Sequence, residues 1–280
     1  MIWNGGIYLS KISIHVIQTG FITVNRTVTT QTKSLNPLTK LGFISYKKKR
    51  KQYPIACFLI EHPKGLILVD TGWHKRVRKE EHKELGLQRL IHRATLPEGQ
   101  SIDEQLSKRG ILPGDLDYVL LTHLHSDHVS GVRQLKDAKY IFASREEILE
   151  SNKRVIRYLQ KLWIDVDLTC FEFDQTGIGP NGFSYDLFRD KSVQLIHAPG
   201  HSVGLFMVKV MNSDGEYILI TSDAALVNTS YEEIIIPAHV MNLYDLKKAL
   251  LWINKVSKDP LCKKILTSHD LDLKEEIITL

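Results

Sequence analysis

Apolar and polar positions alternate along this chain with two different periods, and each change of period marks an element. Lys11 to Gln18 reads as a strand with Ile12, Ile14 and Val16 on one face, since extended side chains alternate between faces. A polar excursion from Thr27 to Lys51 follows, broken by Asn36-Pro37 and Gly42. Two apolar runs, Ile55 to Glu61 and Leu66 to Asp70, flank His62-Pro63-Lys64-Gly65, which predicts a hairpin with turn residues at its centre. From His74 to Arg93 charged and apolar positions recur at helical spacing. Ser101 then opens a further helix with Glu104 placed to complete a capping box. Helix is also predicted from Val129 to Leu135, within Ser144 to Leu162, and from about Tyr244 to Val256. Strand-like runs fall at Tyr140–Phe142, Val193–Ala198, Leu205–Val210, Tyr217–Thr221 and Lys264–Thr267.

Both halves thus contain strands followed by helices. The arrangement this favours is a mixed α/β (α+β) fold in which two β-sheets pack face to face with helices outside. That is a four-layer αβ/βα sandwich, read as one domain over residues 1–280. Composition agrees with a globular chain able to bury a large core: 43% of residues are apolar and 25% charged. No apolar run approaches the roughly 20 residues that span a bilayer, so no membrane span is expected. Residues 1–24 are interrupted by Asn4, Lys11, His15 and Gln18 and lack the apolar centre of a signal peptide. Three scattered cysteines, Cys57, Cys170 and Cys262, each in an apolar context, read as buried free thiols, which makes the cytoplasm the expected compartment. The net charge of +5 is mild, and much of it lies in Lys47-Lys48-Lys49-Arg50-Lys51 and around Lys75–Lys79. Without interleaved aromatics these runs read as a solvated rim, and no nucleic-acid partner is expected.

The chemistry is concentrated after Tyr118-Val119-Leu120-Leu121, in Thr122-His123-Leu124-His125-Ser126-Asp127-His128. In an extended segment His123 and His125 share a side. Asp127 and His128, where the chain turns helical, point elsewhere, so one short segment can serve two metal ions. Imidazole and carboxylate donors suit zinc, iron or manganese, and the lack of thiolate points to a hydrolytic site over a closed structural one. Three more apolar runs end in ligand-type residues: His201 after Ala198-Pro199-Gly200, Asp223 after Ile218–Ser222, and His269 after Ile265–Ser268.

These motifs, with Leu68-Val69-Asp70-Thr71-Gly72, resemble the metallo-β-lactamase superfamily over nearly the whole chain. Within it the chain is most similar to the N-acyl homoserine lactonases. The support is Ile60–Gly65 leading into Val69–Gly72, Leu121-Thr122-His123, and Ser268-His269-Asp270. The resemblance implies that His123, His125 and His201 bind one divalent ion, that Asp127, His128 and His269 bind a second, and that Asp223 bridges them. Zinc is the first expectation, with iron or manganese as alternatives. It implies that Asp70 supports a ligand from behind, and that a metal-bridging hydroxide opens a lactone or small ester while Asp127 shuttles the proton. The substrate would be a small molecule of the quorum-quenching type, and the protein a monomer or homodimer.

Two departures bear on the substrate. The lactonases of this family carry a tyrosine three residues after the bridging Asp, where this chain has Leu226; Tyr231 could reach in only if the loop folds back. Ser126 stands where those enzymes often have a bulky apolar residue, and it and Ser202 are read as loop residues. His74 and His239 read as packing or surface histidines, and the segments around Trp73 and Trp163 as candidates for the pocket wall. The competing readings are a thioesterase, a phosphodiesterase or RNA-cleaving hydrolase of the same fold, and a catalytically weak metal-binding homologue.

Overall fold

The computed structural model describes residues 11–25, 50–237 and 240–280. The first half of the chain supplies β1 (Ser13–Asn25), β2 (Arg50–His62), β3 (Gly65–Val69), α1 (Val77–Leu85), β4 (Arg93–Thr95), α2 (Ile102–Lys108), β5 (Tyr118–Leu120), α3 (Ser126–Val129), β6 (Tyr140–Ser144), α4 (Arg145–Lys153) and β7 (Thr169–Phe171). The second supplies β8 (Asp174–Gln175), β9 (Phe183–Asp186), β10 (Val193–His197), β11 (Phe206–Met211), β12 (Tyr217–Ser222), α5 (Asn228–Glu232), α6 (Leu243–Val256), β13 (Cys262–Thr267) and β14 (Ile277–Thr279). One sheet runs β14-β1-β2-β3-β5-β6-β7, with β4 also on β1, and the other runs β13-β12-β11-β10-β9-β8.

The central strands are apolar on both faces because both faces are covered. In β2, Ala56, Phe58 and Ile60 meet Phe206, Val208 and Ile220 of the other sheet, while Cys57 and Leu59 face outward against Leu106 of α2 and Trp163. In β12, Ile218 and Ile220 point inward, and Leu219 points out against Leu246, Leu250 and Ile253 of α6. Helix, sheet, sheet and helix therefore stack in that order, the αβ/βα sandwich read from the sequence. The hairpin is present as well: His62 pairs with Gly65, which leaves Pro63-Lys64 as a two-residue turn.

Several boundaries differ from the pattern-based expectation. β1 continues past Gln18 to Asn25 through a register shift at 18–21, where Gly20 takes a φ of +90°. The helix expected from Val129 starts at Ser126 and tightens after one turn into a 3₁₀ segment over Ser130–Gln134. Close packing sets that path, since a Cβ at Gly131 would lie 2.2 Å from the Thr71 carbonyl oxygen. The helical stretch from His74 is shorter than its periodicity suggests: α1 ends at Leu85, and a 3₁₀ turn follows over Gly86–Leu90. β4, β7, β8, β9 and β14 hold two to four residues each, too few to display alternation. The excursion at 27–51 lies outside the described residues, save Arg50 and Lys51 in β2.

Of the cysteines only Cys57 is buried; Cys170 is exposed and Cys262 half-buried, because both sit on short or peripheral strands. The second basic run is largely paired, with Lys75 on Asp103 and Arg78 on Glu98 and Glu104. No helix among the described residues is long and apolar enough to cross a membrane.

Glu104 ties α2 to the preceding segment. It accepts from the Ser101 backbone N–H at 3.0 Å and from Arg78 Nη1 at 2.8 Å. The Arg78 contact, chiefly, holds its carboxyl down at about 2 against an ordinary 4.5. A folded-state value below the ordinary one means a contribution present above pH 4.5 and lost as pH falls toward 2. Glu104→Gln is therefore expected to lower the denaturant midpoint at pH 7, with the difference from wild type shrinking below pH 4.5; urea titrations across that range check it.

Candidate metal centre

Parallel neighbours end at the same edge of a sheet, and that geometry assembles the site. β3 and β5 are parallel in the first sheet, and β12 and β13 in the second. Asp70 follows β3, the Thr122–His128 segment follows β5, Asp223 follows β12 and His269 follows β13. A fifth segment, 198–202, turns back between β10 and β11. There Gly200 adopts a φ of +132°, and a Cβ would lie 2.3 Å from the Leu246 backbone nitrogen. Its carbonyl accepts from Met241 and Asn242 at 2.7 and 3.0 Å, which pins His201 against the start of α6.

All seven side chains singled out from the sequence come together, and they divide into two groups. His123, His125, His201 and Asp223 form one, and Asp127, His128 and His269 the other, each with its ligand-type atoms within 4.8 Å of one another. Asp223 faces both. Its Oδ2 lies 3.8 Å from His123 Nε2 and 3.2 Å from His201 Nε2, while its Oδ1 lies 3.4 Å from His128 Nε2 and 3.2 Å from His269 Nε2. Asp127 Oδ2 sits 3.6 Å from His128 Nε2 and 3.5 Å from His269 Nε2, and His125 Nδ1 lies 2.9 Å from His201 Nε2.

Hydrogen bonds behind the rings set their tautomers. His128 Nδ1–H donates to Asp70 Oδ2 at 2.8 Å, and His269 Nδ1–H to the Pro54 carbonyl at 2.8 Å. Thr122 has one proton, which it gives to the Asp70 carboxylate at 2.9 Å. Its oxygen must therefore accept from Ser222 Oγ at 2.7 Å and from His123 Nδ1 at 3.2 Å. These bonds at Nδ1 leave Nε2 as the nitrogen that each of the three imidazoles turns inward.

This donor set suits divalent cations. Among the described residues His123 Nε2, His128 Nε2 and Asp223 Oδ1 are buried without a hydrogen-bond partner, at a cost of about 1–3 kcal/mol for each such atom. Ligand atoms sharing one tetrahedral zinc ion at about 2.0–2.1 Å lie roughly 3.3 Å apart. The seven contacts given above run from 2.9 to 3.8 Å.

Burial pushes His123 and His125 well below the ordinary imidazole value and takes His201 down to about 4, so these rings are neutral at pH 7. Burial also pulls on His128, but Asp223, Asp70 and Asp127 together outweigh it and hold that ring well above the ordinary value. For Asp223 the cost of burial is overcome by His128, His269 and His201, which keep the carboxyl well below its usual range.

The cluster floors a cavity of about 570 Å³. Its lining includes the apolar side chains of Ile22 and Val24 of β1, Ile91 and Leu226, together with Tyr53 and Arg157. Tyr231 does not line this space: it packs in the cluster under α6. Trp73 is fully buried, donates Nε1–H to the Phe21 carbonyl at 2.9 Å and stacks behind His92, which itself lines the cavity. Trp163 belongs to the outer core, away from the pocket wall. His74 is buried and takes the Arg76 N–H at 3.1 Å, a packing role; His239 lies outside the described residues. Ser126 lines the cavity, its Oγ 3.1 Å from His92 Nε2.

Pattern reading missed Glu147, Arg157 and the β1 wall. Glu147, buried in α4, accepts from the backbone N–H of Leu124 at 3.2 Å and of Gly204 at 2.9 Å, bracing the two ligand-bearing loops. Neither it nor Arg157 differs in sequence context from an ordinary surface charge. Ile22 and Val24 carried a period-2 signal that the Gly20 bulge interrupts.

Two packed sheets with helices outside and a His/Asp cluster at one edge define a metallo-β-lactamase-type fold. Residues 50–146 match the family model of the metallo-beta-lactamase superfamily. The chain is 25% identical over 229 residues to the N-acyl homoserine lactonase AttM of Agrobacterium fabrum strain C58, covering 79% of this chain and 83% of that one. It is 26% identical over 227 residues to an N-acyl homoserine lactonase of Bacillus sp., covering 80% and 83%. Its fold superposes with a TM-score of 0.74 on an N-acyl homoserine lactone hydrolase with N-hexanoyl-L-homoserine at its catalytic metal centre, at 22% identity and 93% and 94% coverage. With AidC, a dizinc quorum-quenching lactonase, the TM-score is 0.61 at 15% identity over 93% and 88% of the chains. The resemblance first read from the motifs is borne out by these matches.

Asp70 accepts from His128 and twice from Thr122, so Asp70→Asn removes an acceptor that orients a ring. Metal affinity is expected to fall by about 10–100-fold, as read by chelator competition, with the circular dichroism spectrum unchanged.

Proposed function

We propose that this protein is a metal-dependent hydrolase that opens lactones or small esters at a dinuclear centre. The observation that carries the reading is the sharing of Asp223 between two groups of buried ligand atoms on the floor of a largely apolar cavity. In this reading His123, His125 and His201 hold one ion, Asp127, His128 and His269 hold the other, and Asp223 spans both. Zinc is the first expectation, and iron or manganese would also accept these donors. Bound there, two divalent ions supply a nucleophile from water near neutral pH and polarise the carbonyl oxygen under attack.

The residues of the chain do the rest. Asp127 lines the cavity and takes the proton of the attacking water, then returns it to the alkoxide that leaves as the acyl C–O bond breaks. One water is consumed, and a carboxylic acid and an alcohol, joined in one molecule for a lactone, are formed. Asp70, Thr122 and Glu147 hold the ligand loops so that little reorganisation is needed. Ile22, Val24, Ile91 and Leu226 give an acyl chain an apolar wall. The N-acyl homoserine lactonases to which the chain is similar point to lactones of that kind. We further place the protein in the cytoplasm as one domain, its three thiols free, acting as a monomer or homodimer.

The test is a panel of lactones, esters, thioesters and phosphodiesters on protein whose metal content has been measured. Turnover is expected on the lactones and esters with two metal ions per chain. His123→Ala and Asp223→Ala are each expected to lower both metal content and kcat/KM, the latter by about 10²-fold or more. Unchanged hydrolysis and metal content in those variants would sink the dinuclear reading. Metal-replete protein that turns over nothing on the panel would leave only a metal-binding homologue.

A further inference from the structure

Arg157 stands in an unusual place for a cation. It follows α4 and lines the cavity, and its Nη2 donates to the carbonyl oxygen of His201 at 2.7 Å. Its Nε is buried and has no hydrogen-bond partner among the described residues. The two other basic side chains of the lining, Lys153 and Arg154, are both engaged by Glu150. Arg157 forms no ion pair among the described residues, and the carboxylates lining the cavity, Asp127 and Asp223, both belong to the ligand cluster. Its positive charge is felt at His123, His125 and His201.

A guanidinium there opposes the loading of cations a short distance away. The repulsion is relieved when an anion enters between them, and a guanidinium presents a planar fork that matches a carboxylate. The contact with His201 keeps this fork beside the ligand cluster, so the anion it meets lies near the reacting carbonyl, at the opposite end from a distal chain. The apolar part of the lining, Ile22, Val24, Ile91 and Leu226, offers an acyl or other apolar remainder a surface without charge among the described residues.

We propose that Arg157 is a specificity-determining residue for substrates carrying a carboxylate close to the carbonyl under attack, with an apolar remainder. The inference rests on the hydrolase reading above and narrows it from neutral lactones to anionic ones.

The experiment compares a γ-lactone bearing a carboxylate on the carbon next to the ring oxygen with its neutral carboxamide, on metal-quantified wild type, Arg157→Met and Arg157→Lys. Wild type is expected to favour the carboxylate by roughly 10–100-fold in kcat/KM. Arg157→Met removes this preference, mainly through KM, and Arg157→Lys restores part of it. Calorimetric titration of the ring-opened dicarboxylate gives a readout without turnover: binding to Arg157→Met is expected to weaken about tenfold or more at equal metal content. Equal rates on both lactones in wild type would overturn the proposal, as would a loss in Arg157→Met that is the same for both, and either leaves the hydrolase reading standing. Turnover of bis(4-nitrophenyl) phosphate alone, or of nothing, would instead defeat the lactone reading. The titration then decides Arg157 by itself, an unchanged affinity in Arg157→Met overturning its role.

Discussion

The Asp70 carboxylate is the constraint on which the open edge of this molecule depends. It sits at the end of β3 with a φ of +60°, a conformation costly for a side chain other than glycine, and its backbone N–H is held by the Leu120 carbonyl. From that position it takes hydrogen bonds from His128 and from both the backbone and the hydroxyl of Thr122. Thr122 then accepts from Ser222, at the end of β12 in the opposite sheet. A chain of buried, fully used polar atoms thus crosses from one sheet to the other. It ties the two strand ends that deliver His123 and Asp223 to a common point. In a low-dielectric interior such a network is rigid when complete and costly when broken, which makes it a positional device.

The layers around this network explain why it lies where it does. Apolar side chains on both faces of β2, β3 and β12 commit these strands to the middle of the stack, so only their ends reach solvent. Polar ligands can therefore emerge only at an edge, and the parallel pairing of β3 with β5 and of β12 with β13 selects which edge. Glu147 reinforces the choice from the helical layer by binding the loops on either side of His125 and His201. The result is a set of seven donors more deeply buried than their polarity would tolerate alone. That imbalance is what makes the cluster a cation site rather than a group of histidines at a rim.

The walls of the cavity carry what is particular to this chain. Leu226 lines it at the position where the resemblance led to the expectation of a tyrosine, and Tyr231 turns away into the core beneath α6. Ser126, small and polar beside Asp127, contacts His92. A cation, Arg157, also stands in the lining, fixed by the His201 carbonyl. The centre and the walls therefore answer different questions. The centre defines the type of bond attacked, and the walls define which molecule presents it.

How much of this was legible in the sequence depended on whether the signal was local. The sandwich, the hairpin at Pro63-Lys64 and the cluster from His123 to His128 could be read directly, because alternation, turn residues and ligand spacing act over a few neighbours. Grouping those ligands with His201, Asp223 and His269 required the resemblance, since nothing within the chain's local pattern says that four separate strand ends meet. The bulge at Gly20 hid the contribution of Ile22 and Val24 to the lining, and strands β4, β7, β8, β9 and β14 were too brief to show a period. Glu147 and Arg157 carry no local mark at all: a glutamate in a charged helix and an arginine in a loop look like surface residues until the fold encloses them. The sequence by itself determined the donors, the layers and the turn residues, as these follow from side-chain chemistry and periodicity. Tertiary structure alone decided the distances that set Asp223 between the two donor groups, the braces behind them and the charge in the cavity lining. Those depend on distances between segments far apart in the chain, which only the packing of one sheet on the other sets.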